Sequence, residues 1–240
     1  MLRTVKAVAK KLPFVSYSYR LIREAFSGPP KPPTMQDIFT NIVKNNEWKG
    51  VRSVSGGGSD LDQTERIAKE LPALLNDLEI STMLDIPCGD FHWMKTVDLD
   101  GVKYVGADIV KDLIDQNQKY QTDKISFKCA DVMFDKLPRV DLVFCRDCLV
   151  HLSFADTFRA LKNICDSGST YLLTTSFPER MENIDIVTGS WRPLNLEKEP
   201  FNFPAPLRSL VEGCTENDGI FNDKSLALWK IRELCKFLPE

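Results

Sequence analysis

The stretch Leu84-Asp85-Ile86-Pro87-Cys88-Gly89-Asp90 constrains this 240-residue chain more than any other. It continues a short apolar run (Met83, Leu84, Ile86) and opens onto a helix predicted to begin near Phe91. A strand that ends in a tight turn and feeds a helix N-terminus is how α/β folds hold nucleotide-like ligands, because backbone N–H groups and the positive helix end face the ligand there. Asp108 closes a second apolar run (Val102, Tyr104, Val105) 23 residues after Asp85. That spacing suits a carboxylate at the tip of the next strand, where it accepts both hydroxyls of a ribose. Asp131 closes a third run at 125–130, so three acids stand at three successive strand ends.

This arrangement resembles the class I S-adenosylmethionine-dependent methyltransferases, whose first turn usually reads D-x-G-x-G-x-G. Asp85, Gly89 and the strand-turn context match, while Pro87 and Phe91 stand at the first and third glycines. Pro87 fixes its own φ and lacks the N–H needed to continue a strand, so it holds a turn that glycine would merely permit. The three-glycine fingerprint that brings backbone close to a pyrophosphate is missing, which argues against a nicotinamide oxidoreductase. S-adenosylmethionine has no phosphate and does not need it. The resemblance spans residues 80–235. It implies a Rossmann-like α/β sandwich with a seven-stranded, mostly parallel sheet and an antiparallel last strand beside the fifth. It also implies S-adenosylmethionine as cofactor, bound by Asp85, Cys88, Gly89, Asp108, Ile109, Asp131, Val132, Cys145 and Arg146, with Gly58 and Ser59 from a segment closing over it. Through 85–90 and 145–152 the chain further resembles bacterial, cyanobacterial and viral methyltransferases of glycan synthesis, which implies a sugar or glycan hydroxyl as acceptor. A non-catalytic S-adenosylmethionine-binding subunit and a methyltransferase for a non-sugar small molecule are the alternatives.

The length suits one domain with an attached N-terminal segment, and 43% hydrophobic residues can fill an α/β core. No window approaches 18 uninterrupted apolar residues, so no membrane span is expected. Seven cysteines, an odd number without framework spacing, suggest reduced thiols and a cytoplasmic setting. The pair Cys145-x-x-Cys148 ends an apolar strand and has no second pair, so free thiols are expected there rather than a metal or redox site.

Charge divides the chain. Residues 1–33 carry seven basic side chains and one acid, a balance of +6, and the rest carry 24 basic and 33 acidic, a balance of −9. An acidic body argues against nucleic-acid binding, which needs a basic face. Residues 1–33 read as a basic arm with two amphipathic stretches and the linker Gly28-Pro29-Pro30-Lys31-Pro32-Pro33, and residues 1–26 as a segment for peripheral contact with an anionic membrane.

Residues 34–240 read as the methyltransferase domain. Within it, 34–79 form a helical cap: one helix starts at Thr34 with Met35, Ile38, Phe39, Ile42 and Val43 on one face. A glycine-rich lid at 53–59 precedes a second helix with Ile67, Leu71, Leu74, Leu75 and Leu78. Residues 80–240 form the core. Apolar runs at 102–107, 125–130, 140–145 and 170–175 alternate with helices near 91–97, 110–120 and 154–165, and 225–231 is the final strand. Only nine residues separate the third and fourth strands, too few for a full helix.

The segment after the fourth strand lines the crevice in such a sheet. His151, one of two histidines, falls there, and a neutral imidazole accepts a proton at cellular pH. The expected catalytic pair is His151 as general base with Asp147, four residues earlier, orienting it or binding substrate. Arg146 is placed to meet the cofactor carboxylate, a substrate phosphate or Asp147. Glu179, Trp191 and Arg192 are the expected acceptor-binding residues, since aromatic rings beside polar groups suit sugars. A divalent metal is not expected; Asp147 with Glu179 is the pair that would hold one.

Overall fold

The computed structural model describes residues 32–239. The basic arm and its membrane-contact segment fall almost wholly outside these residues. One sheet of seven strands organises the rest: β1 Thr82–Asp85, β2 Lys103–Asp108, β3 Ile125–Cys129, β4 Leu142–Cys145, β5 Tyr171–Ser176, β6 Arg208–Val211 and β7 Ser225–Lys230. The order across the sheet is β3-β2-β1-β4-β5-β7-β6. The pairings β3/β2, β2/β1, β1/β4 and β4/β5 are parallel, and β7 runs antiparallel between β5 and β6. The fold is therefore the Rossmann-like class I sandwich that the apolar runs predict, with the last strand inserted beside the fifth. β6 is the strand the sequence hides: Arg-Ser-Leu-Val is mostly exposed at a sheet edge and carries no apolar run.

Period-two alternation buries both faces of the inner strands. Met83, Leu142, Phe144, Leu173, Leu226 and Leu228 face one layer, with Ile67, Leu71, Leu74 and Leu75 of helix α2 (Leu61–Asp77). Leu84, Val143, Cys145, Leu172, Ala227 and Trp229 face the other, with Ala160, Leu161 and Ile164 of α4 (Phe154–Asp166). Central strands covered on both sides read as continuous apolar runs for this reason. Helix α1 (Met35–Lys44) precedes them, α3 (Lys111–Asn117) follows β2, and the short α5 (Ile231–Leu234) follows β7. Between β3 and β4 there is no helix. Ser153 caps α4 by accepting the Asp156 N–H at 3.2 Å. Among the described residues, no helix is long and apolar enough to cross a membrane.

Two expectations fail here. No α-helix follows β1; a single 3-10 turn, Met94–Thr96, stands where one was expected. Phe91 sits at φ 56°, a left-handed conformation that interrupts a helix, and its ring is buried against Tyr104, Phe127 and Tyr120 at 5.0–5.5 Å between centroids. The first turn therefore offers no helix N-terminus to a ligand. The cysteines are not all reduced either. Cys165, at the end of α4, is disulfide-bonded to Cys235, just beyond α5, with Cα atoms 5.9 Å apart. Sequence spacing cannot find a bridge whose cysteines lie 70 residues apart and meet only after α5 packs against α4. Cys145 and Cys148 are free thiols.

The pairing of β2 with β3 depends on a residue with no side chain. A Cβ on Gly106 would lie 2.7 Å from the Phe127 ring and 3.1 Å from Tyr104. Gly106→Ala should cost about 1–3 kcal/mol through overpacking, measured as a lower urea midpoint. An unchanged midpoint would mean that the Phe127 ring turns aside without penalty.

Candidate active site

The carboxyl ends of β1, β2 and β4 open into a cleft. Asp85, Cys88 and Gly89 line it from the first turn, Asp108 and Ile109 from the second, and Asp131 and Val132 from the third. Arg146, Asp147 and His151 line it from the segment after β4, and Ser59 from the lid. Five of the predicted residues lie elsewhere. Cys145 is fully buried and faces the α4 layer of the core. Gly58 turns its carbonyl to Arg146 Nη2 at 2.8 Å. Glu179 is exposed and away from the cleft, so it does not meet Asp147. Trp191 packs edge-on against Phe177 and Phe221, and Arg192 donates to the Leu149 carbonyl at 3.0 Å beside the Phe154 ring. The 189–192 segment braces the loop bearing His151 from behind instead of lining the cleft.

The wall opposite the strand ends comes from the helical cap, at residues the sequence did not single out for the site. Met35, Phe39 and Val43 of α1 line the cleft with Trp48. Gln36 ties α1 to the second turn by donating to the Ile109 carbonyl at 3.1 Å. The lid is fastened at both ends. Asp90 accepts the Ser53 hydroxyl at 3.0 Å and the Val54 N–H at 3.1 Å, and Arg146 holds Gly58. Gly89, at φ 54°, gives the lid its room: a Cβ there would lie 2.2 Å from Ser55 Oγ. The amphipathic pattern of α1 was legible, but not that half of its apolar face is a cleft wall.

The carboxylates fall into two electrostatic groups. Asp108 accepts the Val110 N–H at 2.8 Å and the Gly89 N–H at 3.0 Å, one on each oxygen. Burial pushes it up to about 6 against those bonds. Asp85 accepts the Tyr104 hydroxyl at 2.5 Å, and burial pushes it up to about 8, with Asp108 adding to the rise. Burial also raises Asp131, which accepts the Met133 N–H at 2.8 Å. Asp147 behaves oppositely. Burial would raise it, but Arg146 Nη1 at 3.2 Å and Lys224 Nζ at 2.7 Å outweigh that and hold the carboxyl well below its ordinary range. Arg146 in turn grips Glu212 with two bonds, 3.1 Å from Nε and 2.7 Å from Nη2. Two cations and two anions thus form a closed buried set.

His151 is oriented by backbone, not by Asp147. The 3-10 turn Leu149–His151 carries it, and its Nδ1 lies 2.9 Å from the Ser190 carbonyl. A carbonyl only accepts, so Nδ1 bears the hydrogen and Nε2 keeps its lone pair. Burial lowers the imidazole below its usual value, against the Ser190 bond and Asp147, so the ring is neutral at physiological pH. Trp48 packs against it in a tilted contact, with centroids 4.9 Å apart and planes at 36°.

A pH effect follows for stability. The folded chain binds the Asp85 proton more tightly than the unfolded chain does, so Asp85 stabilises at low pH and withdraws that contribution as pH rises through about 8. Thermal unfolding of the unliganded protein should show a melting temperature falling from pH 6 to pH 9, and Asp85→Asn should flatten that slope. An identical slope in the variant would place the titration elsewhere.

Residues 84–173 match the family model of the methyltransferase domain, a span running from within β1 into β5. No curated protein matches the chain. Among solved structures, magnesium protoporphyrin IX methyltransferase from Synechocystis PCC 6803 with bound S-adenosylmethionine aligns at a TM-score of 0.48 and 14% identity, covering 65% of this chain and 83% of that one. A methyltransferase from Clostridium acetobutylicum dependent on the same cofactor aligns at 0.41 and 14%, covering 50% and 52%. The matched span carries Asp85, Asp108 and Asp131, and each oxygen of Asp108 keeps a lone pair free for a hydroxyl after its backbone bond, which fits a ribose. The strand ends that build this cleft lie within the span that matches the methyltransferase domain.

Proposed function

We propose that the protein methylates a hydroxyl oxygen of a sugar or glycan acceptor, with His151 Nε2 taking the hydroxyl proton. The observation that carries this reading is the His151 tautomer: Nδ1 is committed to Ser190, and the ring lines the cleft with Nε2 as its only available base. Bound S-adenosylmethionine supplies an activated methyl group. Asp108 holds the ribose hydroxyls, Asp131 and Val132 border the adenine, and Asp85, Cys88, Gly89, Ile109 and Ser59 complete the cofactor side. Asp147 and Arg146 serve the site as fixed charges. Asp147 is too tightly held by Lys224 and Arg146 to accept a proton, which leaves the imidazole. The lid and the α1 wall exclude water, and an excluded-water site favours transfer to the acceptor. Aromatic faces at Trp48 and Phe39 beside the polar groups of Ser59, Asp90 and Asp147 suit a ring with one apolar face and directional hydroxyls.

A second acceptor class is favoured by one feature. Met35, Phe39 and Val43 make the α1 wall apolar, which suits a small aromatic alcohol or phenol. Methyl-donor turnover against a panel of monosaccharides, oligosaccharides and phenols separates the two readings, and turnover of phenols alone would refute the sugar assignment.

Asp108→Ala should weaken S-adenosylmethionine binding by more than about tenfold, since each charge-assisted bond contributes about 1.5–3 kcal/mol. Calorimetry on the folded variant reads this directly, and an unchanged affinity removes Asp108 from the ribose. His151→Gln should lower kcat by about 10²–10⁴-fold with cofactor affinity within a few-fold of wild type. The wild-type rate should fall only below the usual histidine range, because the folded imidazole resists protonation. Near-normal turnover in that variant would sink the general-base assignment.

A further inference from the structure

We infer that Trp48 is a positioning residue for His151: its indole face fixes the imidazole plane and stabilises the imidazolium that forms when the ring takes a proton. The inference rests on the general-base reading of His151. Trp48 lies in the turn after α1, outside residues 84–173, and meets the imidazole in a tilted contact, with centroids 4.9 Å apart and planes at 36°. Phe39 buttresses the indole from α1 at 6.2 Å. Ser190 grips the ring edge through Nδ1, and the His151 carbonyl accepts the Gly189 N–H at 2.9 Å. The ring is thus held from two segments, by Trp48 on one side and by 189–190 at its edge and backbone.

The electrostatic need for the indole is visible in what else faces the ring. Burial, Lys224 and Arg192 oppose the charged imidazole, while the Ser190 carbonyl and Asp147 favour it. Asp147 is shared with Arg146 and Lys224, so its support is diluted by its own partners. A base that must become a cation in a cleft flanked by two cations needs a neutral group that attracts positive charge. An aromatic face within about 6 Å does this without adding a competing proton acceptor, and tryptophan does it best. The same contact leaves the neutral ring unperturbed in charge, so the stabilisation grows as the proton arrives, which is where catalysis benefits.

The test is an NMR titration of the two histidine Cε1–H resonances in the full-length protein, assigned with His151→Gln. Cation–π contacts contribute about 0.5–2 kcal/mol, so Trp48→Leu should lower the His151 pKa by roughly 0.4 to 1.5 units and leave His92 in place. Its kcat should fall about three- to tenfold with the acidic limb moved to lower pH, while S-adenosylmethionine affinity stays within a few-fold. Trp48→Phe keeps a weaker face and should shift the pKa in the same direction by less, which preserves the test if the leucine variant does not fold. A His151 pKa that stays put or rises in the folded variants overturns the inference. That outcome leaves the general-base reading intact, since it falls only with full turnover in His151→Gln.

Discussion

Arg146 is the residue on which the catalytic edge of the sheet depends. It is 6% exposed, and a guanidinium buried without partners would be strongly unfavourable. Glu212 supplies a two-bond fork, Asp147 a second carboxylate and Gly58 a carbonyl, while Lys224 restores neutrality by bridging both acids at 2.7 and 3.4 Å. These groups come from the ends of β4 and β6, the start of β7 and the lid. They converge because β7 runs antiparallel, so its first residues lie at the same edge as the last residues of β4 and β6. Removing one member of such a set typically costs about 3–5 kcal/mol through the charge left behind. The insertion of β7 is therefore also what completes the charge set under the cleft.

That set decides which group has chemistry to offer. Asp147 lies in the cleft, yet its affinity for a proton has been consumed by two cations. Asp85 and Asp108 have no cation in hydrogen-bond contact, only a hydroxyl and backbone N–H groups, so burial dominates and their proton affinity rises. Asp85 is consequently protonated near neutral pH and joins Tyr104 as a pair of neutral hydrogen-bonding groups. Asp85 thus adds little negative charge beside Asp108, while the far side carries a fixed, balanced set. His151 sits between them with one nitrogen committed and one free. Divergent environments for neighbouring titratable groups are how roles are separated within one site.

The sheet was legible because burying both faces forces apolar runs, and runs survive without knowledge of contacts. The strand-end acids Asp85, Asp108 and Asp131 and the segment holding His151 were legible for the same reason, since topology brings the ends of adjacent parallel strands to one edge. What escaped was long-range. Glu212 and Lys224 give no signal beside Arg146 in a linear chain, 66 and 78 residues away. Trp48 gave no sign of meeting His151, and Cys165 gave no hint of Cys235. The missing helix after β1 was lost to a local cause: Phe91 adopts a left-handed backbone because its ring is captured by Tyr104, Tyr120 and Phe127. The acceptor residues expected at 179 and 191–192 were misjudged by composition. Aromatic and polar residues together do suit a sugar, but here Trp191 and Arg192 brace the turn behind His151.

This division bears on what decides the acceptor. The span 84–173 contributes strand ends, and strand ends face the cofactor side of the cleft. The opposite wall is built by α1 and Trp48, which precede that span, and the His151 ring is held by Ser190, which follows it. The span that matches the methyltransferase domain thus supplies the strand ends and His151, while the opposite wall and the brace on the His151 ring come from segments outside it. Those segments are packed together: Gly189 sits so close to Ile38 and Ile42 of α1 that a Cβ there would lie 2.8 Å from Ile38, so the wall and the Ser190 brace share one contact. A substitution enlarging the wall at Phe39 would therefore also disturb the contact with Trp48 and, through it, the base. On the mechanism proposed, acceptor choice and proton transfer are not independently adjustable in this protein, because the same α1 face shapes one and supports the other.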